Sequence, residues 1–72
     1  MGSEGGAEVL PMPQTNFYIR INTQGEYYWV LIDGNYRKIA YSGEAYVSKY
    51  NCERAIANVK RDILSAGTVD DT

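Results

Sequence analysis

Few side chains in this 72-residue sequence have the type and spacing that catalysis or metal binding requires. The chain has one cysteine and no histidine, so a Cys–His nucleophile and the usual zinc ligand sets are not available. Cys52 falls on the apolar stripe of a predicted helix, where a free cysteine acts as a small hydrophobic residue. Ser48 and Lys49 are neighbours at the start of that helix and do not face each other, which favours capping over catalysis.

Three acidic residues, Glu26, Asp33 and Glu44, lie in or beside predicted turns. Paired-carboxylate chemistry would need two of them close together in a cleft, whereas turn carboxylates are usually solvated. We therefore predict that the protein is not an enzyme, with no catalytic residue, no metal site and no cofactor.

The seven tyrosines are the one unusual enrichment in the composition. Most are expected in the core or in an interface, because tyrosine has an apolar ring with a polar tip. Tyr18, Tyr28 and Tyr36 are predicted to share an outward sheet face, and a tyrosine-lined sheet can stack bases or bind peptide. Together with nearby cations they form the predicted binding surface: Tyr18, Arg20, Tyr28, Tyr36, Arg37 and Lys38.

The charge distribution gives only weak support to a nucleic-acid partner. The chain has a formal net charge of -2, from 7 basic and 9 acidic residues. Four of the acidic residues lie in the two tails, so residues 16–66 are faintly basic. A nucleic-acid binder usually carries a clustered stripe of Lys and Arg, which is not evident here. Nucleic acid is therefore the minority hypothesis.

Length limits the chain to one small domain that needs additional stabilisation. Residues 1–15 are rich in glycine and proline without periodicity, which predicts a disordered leader before a single domain at residues 16–72. The core of so short a chain is marginal, and oligomerisation is the expected remedy where disulfides and metals are not available. No apolar run approaches the roughly 20 residues that span a bilayer, and no secretory signal is evident, which predicts a cytoplasmic protein.

The apolar pattern predicts an α+β fold. Period-two alternation indicates a three-stranded meander at residues 16–21, 26–32 and 36–42, with the second strand apolar on both faces and therefore central. In the third strand, Ile39 and Tyr41 are expected to oppose Lys38, Ala40 and Ser42. After Gly43 the period becomes 3.6, which predicts a helix that covers the sheet.

The predicted helix has recognisable ends. Either Ser48 or Asn51 can cap its first turn, and Gly67 is placed to end it in a left-handed conformation. Ile56 is expected to share a core with Trp29 of the second strand. The apolar stripe of the helix is Cys52, Ala55, Ile56, Val59 and Ile63. Residues 68–72 are either a frayed tail or a short fourth strand.

These residues resemble one repeat of the YegP-like family of small uncharacterised bacterial proteins, also called DUF1508 or UPF0339. The resemblance covers about residues 16–62 and depends on structural positions: Phe17-Tyr18, Gly25-Glu26-Tyr27, Trp29, Leu31, Asn35, Ile39-Ala40, Ser42, Glu44, Tyr46, Ser48-Lys49, Ile56 and Val59-Lys60. Tyr28 departs from the arginine that the family often has there. Tyr36 replaces the glycine of an Asn-Gly turn, which predicts a different turn geometry.

The resemblance implies a β-β-β-α-β unit that occurs as tandem repeats or as a pair of chains that exchange their C-terminal strands. One unit in this chain implies a homodimer, in agreement with the argument from core size. The leading hypothesis is a small non-enzymatic homodimeric module, either macromolecule-binding or structural, with an unidentified protein partner. The alternative is weak binding of RNA or single-stranded nucleic acid through the tyrosine-lined face. An enzyme ranks third.

Overall fold

The structure, a computed structural model, describes residues 14–72. The predicted leader at residues 1–15 lies almost entirely outside this range and stays a prediction. Three strands and one helix form an α+β fold, as predicted. In chain order they are β1 (Asn16–Ile21), β2 (Tyr27–Ile32), β3 (Lys38–Tyr41) and α1 (Lys49–Ile63). The strands form one antiparallel sheet in the order β1-β2-β3, which confirms that β2 is central.

The first hairpin turn, between β1 and β2, is built on the side chain of Asn22. Its Oδ1 accepts hydrogen bonds from the backbone N–H groups of Gln24 and Glu26, each at 2.9 Å. The N–H of Gly25 donates to the carbonyl oxygen of Asn22 at 3.1 Å. Gly25 has a φ of 78°, a left-handed conformation that glycine adopts without steric cost. The predicted turn glycine is therefore confirmed.

The second turn, between β2 and β3, repeats this geometry with different residues. Asp33 Oδ1 accepts from the N–H groups of Asn35 at 2.9 Å and Arg37 at 3.0 Å. Tyr36 takes the position that Gly25 takes in the first turn, with a φ of 62°, and its N–H donates to the Asp33 carbonyl at 3.0 Å. Tyrosine thus adopts a left-handed conformation that glycine adopts more readily. It belongs to the turn, so the prediction that β3 starts at Tyr36 is wrong.

The two faces of the sheet have different surroundings. Trp29, Cys52 and Ile56 form the buried core between sheet and helix, which confirms the predicted contact between Trp29 and Ile56. Phe17 packs edge-on against Trp29, with ring centroids 5.2 Å apart. The other side chains packed against this core are Ile19, Tyr27, Leu31, Ala40, Tyr46 and Val59. The face away from α1 has no such cover within residues 14–72.

The segment before α1 is held to β2 by a reciprocal pair of backbone hydrogen bonds. The N–H of Tyr27 donates to the carbonyl oxygen of Tyr46 at 2.8 Å, and the N–H of Tyr46 donates back at 2.7 Å. Ser42 adds a side-chain contact, since its Oγ accepts from the N–H of Trp29 at 3.2 Å. These bonds fix the point from which the helix begins.

Helix α1 starts as predicted and ends earlier. Ser48 is the N-cap, and its Oγ accepts from the N–H of Asn51 at 3.1 Å, so Ser48 and not Asn51 is the cap. The predicted left-handed end at Gly67 is wrong, because the helix ends at Ile63 and Leu64 keeps a right-handed φ of -65°. The last turn closes by short-range bonds, including the N–H of Ser65 to the Asp62 carbonyl at 3.2 Å.

The chain beyond the helix is exposed. Ile63 lies on the predicted apolar stripe but is 57% exposed, so the stripe is not buried over its full length. Residues 68–72, for which the sequence offers a fourth strand, form no strand within the described part of the chain. In that same part no helix is long and apolar enough to cross a membrane, and α1 has 15 residues.

Candidate binding face of the sheet

The Cys52 thiol and the Tyr46 phenol lie in surroundings that disfavour their ionised, more reactive forms. Cys52 is fully buried, and burial raises the pKa of its thiol, with the charge of Glu53 adding to the effect. Burial also raises the pKa of the Tyr46 phenol, and the charge of Glu44 acts in the same direction. Both groups are therefore neutral at physiological pH. The buried indole N–H of Trp29 lies close enough to the Tyr46 phenol to offset part of this rise in the pKa, although it makes no hydrogen bond of ordinary geometry to any described residue.

Two of the three turn carboxylates are too far apart to act as a pair. Glu26 and Asp33 lie at opposite ends of β2, and a strand of this length separates them by roughly 20 Å. The pKa of Asp33 is lowered, mainly because its carboxylate accepts the backbone N–H of Arg37, and the N–H of Asn35 and the Arg37 charge contribute. Within residues 14–72, no three His, Cys, Asp or Glu side chains gather in a way that could hold a metal ion.

The face of the sheet away from α1 is the best candidate for a binding site. Pairing between the strands sets its composition, because directly opposed residues in antiparallel strands share a face. Val30 pairs with Tyr18 on one side and with Tyr41 on the other. The next pair of β1 and β2 along this face is Arg20 with Tyr28. We call this surface the open face: Tyr18, Arg20, Tyr28, Val30, Ile32, Lys38 and Tyr41.

Two cations of the open face lie over tyrosine rings. The guanidinium carbon of Arg20 is 5.9 Å from the centroid of Tyr18, and Lys38 Nζ is 5.8 Å from that of Tyr41. The two rings are 40% and 68% exposed. Val30 between them is only 2% exposed although the helix is on the other side, which indicates that its neighbours on the open face cover it. The surface is therefore aromatic and cationic over an apolar floor.

The open face has an uneven charge. None of the residues in β1, β2 or β3 is acidic, whereas the strands contain Arg20 and Lys38. The acidic residues of the described chain lie in turns, in the helix and in the C-terminal tail. By alternation Glu26 lies on the same side as the open face, at the end beside Tyr28, and its Oε1 accepts from Asn22 Nδ2 at 3.5 Å. The charge on this face is thus locally positive although the whole chain is acidic.

The structure brings together four of the six residues in the predicted surface: Tyr18, Arg20, Tyr28 and Lys38. Tyr36 lies in the second turn, and the Nε of Arg37 is 3.0 Å from Asp33 Oδ2, which compensates its charge. Tyr41 was missed because strict alternation sets it opposite Lys38. A register shift between Leu31 and Ile32 pairs Lys38 with Ile32 and so corrects that prediction.

A cleft beside the open face lies at the free edge of β1. An open cleft of about 260 Å³ is lined by Ile19, Arg20, Ile21, Tyr27 and Lys49. Its floor is apolar, and its two charged side chains are cations. In an antiparallel pair, alternate residues direct both backbone groups away from the partner strand, and in β1 these are Phe17, Ile19 and Ile21. The cleft therefore adjoins a strand edge that can accept another strand.

Comparison with known proteins identifies a family and a similar structure, and neither is described with an activity. The family model described as Domain of unknown function (DUF1508) matches residues 22–70. The NMR solution structure of a protein from Haloferax volcanii is similar to this chain, with 30% sequence identity and a TM-score of 0.75. The match covers 82% of this chain and 98% of that one. No curated protein sequence matches.

Proposed function

The chain belongs to the DUF1508 family, and from that premise we propose that it is a non-enzymatic homodimeric module that binds another macromolecule through its open face. The observation that carries the proposal is the open face itself. It combines exposed tyrosines with cations and no strand carboxylate. Aromatic and arginine side chains are enriched in binding interfaces, because they bury a large area and retain a polar group.

The binding proposal is tested by an NMR titration of ¹⁵N-labelled protein with lysate fractions, separated beforehand into protein and nucleic-acid pools. Binding at the open face would shift the amide resonances of Tyr18, Tyr28 and Tyr41. Tyr50 is the matched reference, since it is a 63% exposed tyrosine on α1 whose ring also lies near a cation, Arg54, at 6.0 Å. Shifts confined to α1 would contradict the proposal.

The dimer is proposed to form when residues 68–72 of one copy pair with the free edge of β1 in the other. Charge supports this arrangement, because the tail carries Asp70 and Asp71 while Lys49 lines the cleft beside β1. Val69 is 84% exposed and is suited to the apolar floor of the cleft. An unpaired strand edge is also an aggregation hazard that such pairing removes.

Sedimentation of the intact chain and of a variant that lacks residues 68–72 tests the dimer. We expect a dimer mass for the intact chain, with a melting temperature that rises with concentration, and weaker association for the truncated one. A substitution Val69→Asp should also weaken association, whereas Thr72→Ala should not. A monomer mass for the intact chain at high micromolar concentration would contradict the proposal.

A further inference from the structure

We propose that the macromolecule bound by the open face is a single-stranded nucleic acid, with Tyr18 and Tyr41 stacking on bases and Arg20 and Lys38 contacting the neighbouring phosphates. This inference rests on the proposed function, since it names the class of partner for the same face. Surfaces that bind single strands combine aromatic rings for the bases with cations that follow the backbone.

The two exposed rings are separated in a way that suits two different bases. Tyr18 and Tyr41 lie in register on either side of Val30, in strands that are not neighbours. Adjacent strands are about 4.8 Å apart, so the two tyrosines lie roughly 10 Å apart across the sheet. Neither ring therefore blocks the other. Tyr28, one pair further along β2, offers a third and less exposed ring.

The cations are positioned to change partners when a base arrives. At 5.9 and 5.8 Å from the ring centroids, Arg20 and Lys38 lie near the outer limit of about 6 Å for a cation–π contact. Such contacts at exposed sites are weak, and both side chains are long and flexible. A base that stacks on the ring displaces the cation, which can then pair with the phosphate of the same nucleotide.

The charge of the face favours a nucleic acid over an acidic protein segment. Either partner could neutralise Arg20 and Lys38. Only a nucleic acid also supplies a flat π surface next to each anionic group, so that the rings and cations are used together. The long-range attraction is modest, because the whole chain has a net charge of -2. Binding should therefore depend on stacking more than on phosphate contacts.

The test measures the fluorescence anisotropy of a short labelled oligouridylate and of the matching oligothymidylate, with the intact full-length chain. Tyr18→Leu and Tyr41→Leu keep an apolar side chain and remove the ring, and each should weaken binding about tenfold. The slope of log affinity against log salt concentration is negative. Arg20→Gln and Lys38→Gln should each make it shallower by about one. Similar binding of the two oligonucleotides would support stacking as the main contact, because stacking requires neither the ribose 2′-hydroxyl nor the thymine methyl group.

The chain offers controls of matched chemistry. Arg54 lies over Tyr50 on α1 at 6.0 Å, a pair of the same kind on another surface. Tyr50→Leu and Arg54→Gln should leave the affinity unchanged. Glu26→Gln removes a carboxylate on the same side of the sheet, at the end beside Tyr28, and should strengthen binding, the opposite sign to every substitution on the face. Thermal melting followed by the fluorescence of Trp29 verifies that each variant is folded.

In the anisotropy assay, two results would overturn the inference. One is equal affinity for a duplex of the same length, and the other is an equal loss of affinity in the α1 variants. A parallel NMR titration with poly-glutamate separates this inference from the proposed function. Shifts on the open face with poly-glutamate but with neither oligonucleotide would overturn the nucleic-acid inference and retain a macromolecule-binding face. No shift with any of the three probes would count against both.

Discussion

The two hairpin turns share one hydrogen-bond pattern and one positive φ, but they are built from different residues. In each turn a side-chain oxygen at the first position accepts two backbone N–H groups, and the fourth residue has a positive φ. The first turn uses Asn22 and Gly25, which are neutral and unstrained. The second turn uses Asp33, which is charged, and Tyr36, which is strained. A left-handed conformation costs about 1–2 kcal/mol in a residue with a Cβ.

The difference shows that the second turn is not optimised for stability. Tyr36 is 88% exposed, so its ring buries little surface that could offset the strain. Strained backbone in an exposed aromatic residue is a reason to look for a role outside folding. The ion pair between Asp33 and Arg37 supports the second turn from outside. Among residues 14–72 no ion pair supports the first turn.

The largest effect is expected from removing the side-chain acceptor of the first turn. Asn22→Ala deprives the N–H groups of Gln24 and Glu26 of their partner and should lower the free energy of unfolding by about 2 kcal/mol, from two hydrogen bonds of about 1 kcal/mol each. Urea denaturation measures the change. Asn22→Asp is the control, because it restores the acceptor as in the second turn. A similar loss in the control would show that the side-chain acceptor is not what matters.

The next effect concerns the position with positive φ in the first turn. Gly25→Ala should destabilise by about 1 kcal/mol, because the strain of a left-handed alanine exceeds the entropy gained in the unfolded chain. A Cβ at this position meets no atom within 4 Å, so the cost would come from the backbone alone. Gly43→Ala is the control, since Gly43 has no positive φ. Equal effects at both positions would contradict the argument.

The reverse substitution in the second turn should have the opposite sign. Tyr36→Gly should stabilise the protein by about 0.5 kcal/mol, because relief of strain slightly exceeds the added entropy of the unfolded chain. Thermal and urea denaturation measure it. Destabilisation would mean that the Tyr36 ring makes a contact that the single chain does not contain. Tyr36→Ala separates these cases, since it removes the ring and keeps the strain.

The smallest effect is a difference in the acid stability of the turns. The pKa of Asp33 is lowered in the folded protein from its usual 3.8, so the unfolded chain binds the proton more readily. This contribution is fully present above that value and is lost as pH falls through the lower folded pKa. Asp33→Asn should remove it and make the second turn resemble the first. Melting temperatures from neutral pH down to pH about 3 should then fall less steeply than for the unsubstituted chain.

Local patterns were sufficient to predict most of the fold. Alternation located β1 and β2, because their side chains have to divide between two faces. Ser48 was a recognisable cap, since its side chain acts on the backbone three residues ahead. The end of α1 could not be predicted from Gly67, because the last turn closes through Ser65 and Asp62 before the glycine is reached. A glycine permits a left-handed end without requiring one.

The open face was harder to predict because its composition depends on pairing between strands. Tyr18 and Arg20 follow from the alternation of β1 alone. Lys38 and Tyr41 share the face only because the register shifts between Leu31 and Ile32, and that shift depends on how β2 meets β3. The sequence predicts a strand at Tyr36, since aromatic side chains favour strands. Asp33 Oδ1 accepts from the N–H groups of Asn35 and Arg37, on either side of Tyr36, and these bonds hold the tyrosine in the turn despite that preference.

The reciprocal bonds between Tyr27 and Tyr46 have a consequence for how the domain opens. They join the segment before α1 to the central strand, so the start of the helix stays beside the sheet as long as these bonds and the packing of Cys52 and Ile56 on Trp29 hold. Sheet and helix should therefore unfold as one cooperative unit. In hydrogen exchange, the amide hydrogens of Tyr27, Trp29 and Tyr46 should exchange slowly and at similar rates. Those of the last turn of α1 should exchange first.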